Sequence, residues 1–134
     1  MTEKIKKWLN ENPGKLFLID GTGAILSAIL LGVVLVQLER FFGIPKSMLY
    51  LLALLPCIFA VYDFYCYYRV KNRLGQYLKG IAFLNLGYAG LSLALAFYHS
   101  DVITNVGWSY VLVEISIIVI LASVELNVAK RHML

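Results

Sequence analysis

Four carboxyl side chains, Asp20, Asp63, Glu114 and Glu125, stand inside stretches that are otherwise apolar. An ionisable group at the centre of a bilayer costs at least about 2.5–3.5 kcal/mol, so each needs a partner or a task. Carboxyls can accept a cation, exchange a proton or pair with Lys or Arg. Asn85 adds an amide that both donates and accepts, and Tyr88 adds a hydroxyl. Asp20, Asp63, Asn85 and Glu125 each lie about one or two turns from the same end of their stretch, so the four share one layer. Glu114 lies nearer the middle of the bilayer.

Helical geometry groups these residues further. Glu114 and Glu125 are eleven positions apart, about three turns, and so share a face. Asn85, Tyr88, Ser92 and His99 form a polar stripe beside Ala89 and Ala96. Asp20, Ala24, Ser27 and Leu31 line up beside Gly21, Ala28 and Gly32. Small residues let helices approach closely in lipid, and polar ones bond across the contact, so these faces are expected to meet inside a bundle.

Two readings follow. In the functional one, a polar cavity opens to the cytoplasm with Asp20, Asp63, Glu125 and Asn85 at its mouth and Glu114 further in, holding a cation, a proton or an amine-bearing solute. In the structural one, the inner carboxyls pair with Arg69, Lys79 or Lys15, and Glu114 bonds to Asn85 or Tyr88. Closeness to the span ends favours structure for the inner three; Glu114 stays open between the two.

The elements that must position these groups are four apolar stretches at roughly 16–38, 47–68, 77–98 and 106–129, each near the about 20 residues a transmembrane helix requires. Of the 134 residues, 60% are hydrophobic and only 15% charged, and mean hydropathy is +0.76. That excludes a soluble domain, in which about a quarter of residues are charged. The runs lack the alternation of barrel strands, and an open sheet would leave backbone groups unpaired in hydrocarbon. The expected fold is an all-α four-helix membrane bundle forming a single domain over residues 1–134.

Ten of the twelve Lys and Arg residues fall in the N-terminal segment, the middle connection and the tail, against Arg40 and Lys46 elsewhere. By the positive-inside rule both termini are expected in the cytoplasm. The formal charge of +4 then reflects topology and lipid attraction, not a nucleic-acid site. Residues 2–10 read as a helix lying on the membrane surface, with Ile5, Trp8 and Leu9 on one side and Lys4 and Lys7 on another. The first stretch is too long for a cleavable signal, and the default location is a bacterial inner membrane.

Other features are weaker. Tyr62, Phe64, Tyr65, Tyr67 and Tyr68 beside Arg69 read as an interfacial belt, with Trp108 and Tyr110 anchoring the opposite face. Pro56 can free a carbonyl within the second span. Cys57 and Cys66, nine positions apart on opposite sides of a helix, read as packed, reduced thiols. Ser109, Ser116 and Ser123 recur every seventh residue opposite Glu114 and Glu125, a seam suited to a second copy of the chain.

With His99 and His132 the only histidines, no clustered metal site is expected, nor any cofactor. Asp20-Gly21-Thr22-Gly23 is not a phosphate loop, since it follows no strand; its glycines suit close packing or local unwinding. Two membrane aspartates invite comparison with intramembrane aspartyl proteases, but the Gly-x-Gly-Asp motif of that family is missing. Small multidrug transporters carry their membrane glutamate in the first helix, whereas here the glutamates are in the last. No nucleophile–base pair is visible, which argues against an enzyme. The sequence favours a small transporter or a protein binding a solute, cation or proton. The alternative is a non-catalytic subunit or assembly factor of a larger membrane complex.

Overall fold

The computed structural model describes residues 2–70 and 72–131, so Lys71 and His132 lie outside the described residues. Helix occupies 88% of the chain and no strand occurs among the described residues. After the amphipathic helix α1 (Thr2–Glu11), Asn12-Pro13 turns the chain into α2 (Gly14–Gln37). A short α3 (Glu39–Phe42) follows, then α4 (Lys46–Arg69), α5 (Leu74–Tyr98) and α6 (Asn105–Arg131). The four long helices are apolar enough to cross a membrane, compatible with a multi-pass membrane protein. Their ends fall close to those expected; the largest displacement is the third, which begins at Leu74 instead of Tyr77.

The helices form two close pairs, α2 with α4 and α5 with α6, and the pairs meet more loosely. Glycine brings the first pair together. A Cβ on Gly21 would stand 3.1 Å from the Phe64 ring and 3.2 Å from the Asp63 Cβ, and one on Gly32 would stand 3.2 Å from the Ala53 Cβ. Gly23 has open space around it, so only Gly21 of the two has the packing role expected of them. Within α2 the chain widens into a π-turn over Leu30–Val34. Such turns insert a residue into the helical repeat and often accompany functional sites.

At the end opposite the α4–α5 connection, Gly43 takes a left-handed conformation (φ +69°), and a side chain there would run into the Val102 carbonyl. The Thr104 backbone N–H donates to the Phe42 carbonyl (3.1 Å), and the Thr104 hydroxyl donates to the Phe41 carbonyl (2.6 Å). The Thr104 Oγ1 also accepts from the Gly107 N–H (3.1 Å), capping the start of α6. This clasp holds the α2–α4 connection against the α5–α6 connection and so fixes the register of α6 beside the other helices.

Candidate functional site

Each long helix brings one polar side chain into a common buried layer: Asp20 from α2, Asp63 from α4, Asn85 from α5 and Glu125 from α6. All four are buried, and Asp63 and Glu125 are 0% exposed. The Asn85 amide nitrogen lies 3.2 Å from both carboxyl oxygens of Asp20 and 3.2 Å from Glu125 Oε1. Asp20 lies within hydrogen-bonding reach of both Asp63 and Glu125. The amide has two hydrogens to offer, and the three carboxyls present six oxygens. Asp63 Oδ1, Asp63 Oδ2 and Glu125 Oε2 are buried without a hydrogen-bond partner.

Among the described residues no basic side chain fills that deficit. Among the described residues the one ion pair is Lys46 with Glu39, 4.0 Å apart near the opposite end. The expected pairing of the inner carboxyls with Arg69, Lys79 or Lys15 is therefore not formed. The Lys15 ammonium donates to the Tyr67 hydroxyl (3.1 Å) and sits over that ring, Lys79 lies over Phe83, and Arg69 is exposed. Long basic side chains carry their charged ends along apolar surface toward water, and these three leave the layer without cations.

Glu114 occupies a separate site on the same face of α6 and is also buried. Its Oε2 accepts from the Tyr110 hydroxyl at 2.7 Å, and its Oε1 lies 3.2 Å from the Tyr88 hydroxyl. The bond to Tyr88 is one of the two expected; Asn85 instead belongs to the inner layer. Tyr88 Oη also lies 2.9 Å from the Leu52 carbonyl. That carbonyl would accept from the N–H of residue 56, which is Pro56 and has none. Tyr88 has one hydroxyl hydrogen for two neighbours. It donates either to Leu52, accepting an O–H from Glu114, or to Glu114, leaving the Leu52 carbonyl empty.

A crevice of about 80 Å³ separates the two sites, with Asp20 and Asn85 at one end, Tyr88 at the other, and Ser27 and Pro56 along its length. Its rim includes the exposed Gly23 and Ile117, at the seam between α2 and α6. Of the four inner residues expected around a cavity, Asp20 and Asn85 line this crevice, which opens between the two helix pairs. The cause is the looser contact between the two helix pairs. Its volume suits a few water molecules, and organic-ligand pockets start at about 300 Å³.

Other expectations fare variously. Tyr110 is half-buried on Glu114 instead of serving only as an interfacial anchor; its i, i+4 spacing from Glu114 on a helix was the available signal. Tyr65 and Tyr68 are exposed, while the Tyr62 hydroxyl donates to the Tyr77 carbonyl (2.9 Å). Both cysteines are free; Cys66 is buried, but Cys57 is exposed instead of packed within the chain. Ser109, Ser116 and Ser123 are exposed, and each hydroxyl donates to the carbonyl four residues earlier, so none packs inside the chain. No group of three His, Cys, Asp or Glu among the described residues is arranged to hold a metal ion. Compared with known proteins, the chain matches no family model, no curated protein and no solved structure.

Proposed function

We propose that this chain is a small multi-pass membrane protein that binds and relays protons between its inner carboxyl layer and Glu114. The observation that carries the reading is the shortage of donors around Asp20, Asp63 and Glu125. Each buried polar atom without a partner costs about 1–3 kcal/mol. Protons on the carboxyls themselves can fill that shortage, because Asp20 lies within reach of both Asp63 and Glu125. A layer that takes up and gives up hydrogens needs oxygens that are free to receive them.

The remaining parts suit the same task. The crevice is large enough for water to connect Asp20 and Asn85 to Tyr88, and far too small for the amine-bearing solute of the sequence reading. Tyr88 can turn its O–H from the Leu52 carbonyl to Glu114, give that hydrogen to an ionised Glu114 and take another from water in the crevice, and Tyr110 continues the path toward the start of α6. In this reading both termini face the cytoplasm, as the ten-to-two distribution of Lys and Arg supports. The membrane is a plasma membrane, taken as a bacterial inner membrane, and two copies associate through the serine face of α6.

The test is proton flux in liposomes that hold the purified chain and an entrapped pH-sensitive dye, under an imposed potential. Wild-type protein should carry protons above empty liposomes. Glu114→Gln and Asp63→Asn should lose at least about tenfold in rate, equivalent to about 1.4 kcal/mol, while eluting as wild type. Wild-type rates in both variants, or no flux from the wild-type chain, would overturn the relay and turn attention to a subunit role in a larger complex.

A further inference from the structure

At the end of the molecule where α5 begins and α6 finishes, a groove of about 440 Å³ runs between these helices. Lys79 and Lys130 flank it, Ser123 and Asn127 supply polar groups, and Phe83 and Leu126 form an apolar wall. Both ammonium groups are on exposed residues, and neither pairs with a carboxylate among the described residues. We infer that this groove holds one anionic glycerophospholipid, its phosphate between Lys79 and Lys130 and an acyl chain against Phe83 and Leu126.

Three observations support that occupant. The groove combines positive charge at a span end with an apolar wall that continues into the membrane, the amphipathic pattern of a lipid. Basic pockets between transmembrane helices take anionic headgroups in this way. The volume far exceeds what a phosphate ion fills and falls within the roughly 300–1,000 Å³ range of ligand sites. The Asn127 amide adds a donor beside the two point charges.

The opposite end offers a contrast. A groove of about 470 Å³ there also carries two cations, Arg40 and Lys46, but Glu39 lies in it and pairs with Lys46. Charge repulsion from that carboxylate disfavours a phosphate. The inference is independent of the proton relay, since none of the groove residues belongs to the inner layer or to the Glu114 site; the groove meets the serine face of α6 only at Ser123, the last of its three serines.

The test uses the purified full chain in uncharged detergent, titrated with dioctanoyl-phosphatidylglycerol, dioctanoyl-phosphatidylcholine or inorganic phosphate and followed by native mass spectrometry and thermal midpoint. Phosphatidylglycerol should bind in preference to phosphatidylcholine. Each of Lys79→Gln and Lys130→Gln should weaken that binding about fivefold, and the double variant about 25-fold, with Lys46→Gln unchanged. Equal binding of the two lipids, or wild-type affinity in the double variant, would overturn the site. Inorganic phosphate displacing phosphatidylglycerol from it at comparable concentration would make it a free-anion site and overturn the lipid assignment.

Discussion

The Tyr88 hydroxyl stands 2.9 Å from the Leu52 carbonyl, the one backbone oxygen in α4 that Pro56 deprives of its helical donor. The same hydroxyl lies 3.2 Å from Glu114. A missing hydrogen bond in one helix, a tyrosine on the next and a buried carboxyl on the last are thereby joined through one hydrogen. Proline inside a membrane helix is tolerated where a neighbouring side chain satisfies the freed carbonyl, and Tyr88 is placed to do so here.

Tyr88→Phe should therefore destabilise the fold by about 1–3 kcal/mol, because it leaves the Leu52 carbonyl without a donor. In a Pro56→Ala background residue 56 regains its N–H, and the same substitution should cost measurably less. Unfolding of the wild-type chain and the three variants in detergent gives the coupling directly. Equal costs in the two backgrounds would separate Tyr88 from the proline.

The inner layer gives opposite signs for two of its members. Asn85 is the donor to Asp20 and Glu125, so Asn85→Leu should cost about 1–3 kcal/mol or more. Asp63 has no donor on either oxygen, so Asp63→Asn should leave stability unchanged or raise it by about 1 kcal/mol, the new amide donating to Asp20. A group kept for function at the expense of stability behaves in this way. A loss of several kcal/mol on Asp63→Asn would mean that the carboxyl is a structural element.

Much of this architecture could be read from residue order. Burial of Asp20, Asp63, Asn85 and Glu125 at one level follows from their distance to the span ends and from a rise of about 1.5 Å per residue. The shared face of Glu114 and Glu125 follows from the same repeat. Which helices pair tightly does not, because small and polar faces occur on several of them; the crevice between α2 and α6 was hidden for that reason. Side-chain type alone points Tyr110 to an interface, although its i, i+4 spacing from Glu114 puts the two on one face of α6. The fate of Lys15, Lys79 and Arg69 was hidden too, since flexible stems let a nearby cation turn away from a buried acid.

The two glycines of Asp20-Gly21-Thr22-Gly23 should respond differently to the same change. Gly21→Leu forces a side chain into space held by Phe64 and Asp63 and should separate α2 from α4, at a cost of at least about 1–3 kcal/mol. Gly23 is exposed and has no neighbour within 4 Å of an added Cβ, so Gly23→Leu should fold with wild-type or slightly raised stability. Thermal midpoints in detergent compare them. Equal losses at both positions would remove the assigned packing role of Gly21.

The serine face of α6 predicts self-association. Ser109, Ser116 and Ser123 satisfy their hydroxyls on their own helix, so they present small, polar-satisfied surface outward and permit a second helix to approach closely. Ser116→Leu places a branched side chain at the middle of that face and should weaken dimerisation by about 1–2 kcal/mol, roughly five- to thirtyfold. Ser116→Ala, which keeps the surface small, should leave it near wild type. Cross-linking in liposomes across a range of protein-to-lipid ratios measures both. If Ser116→Leu cross-links as wild type, the face lies against lipid and its regular spacing reflects only the ease with which serine sits in a membrane helix.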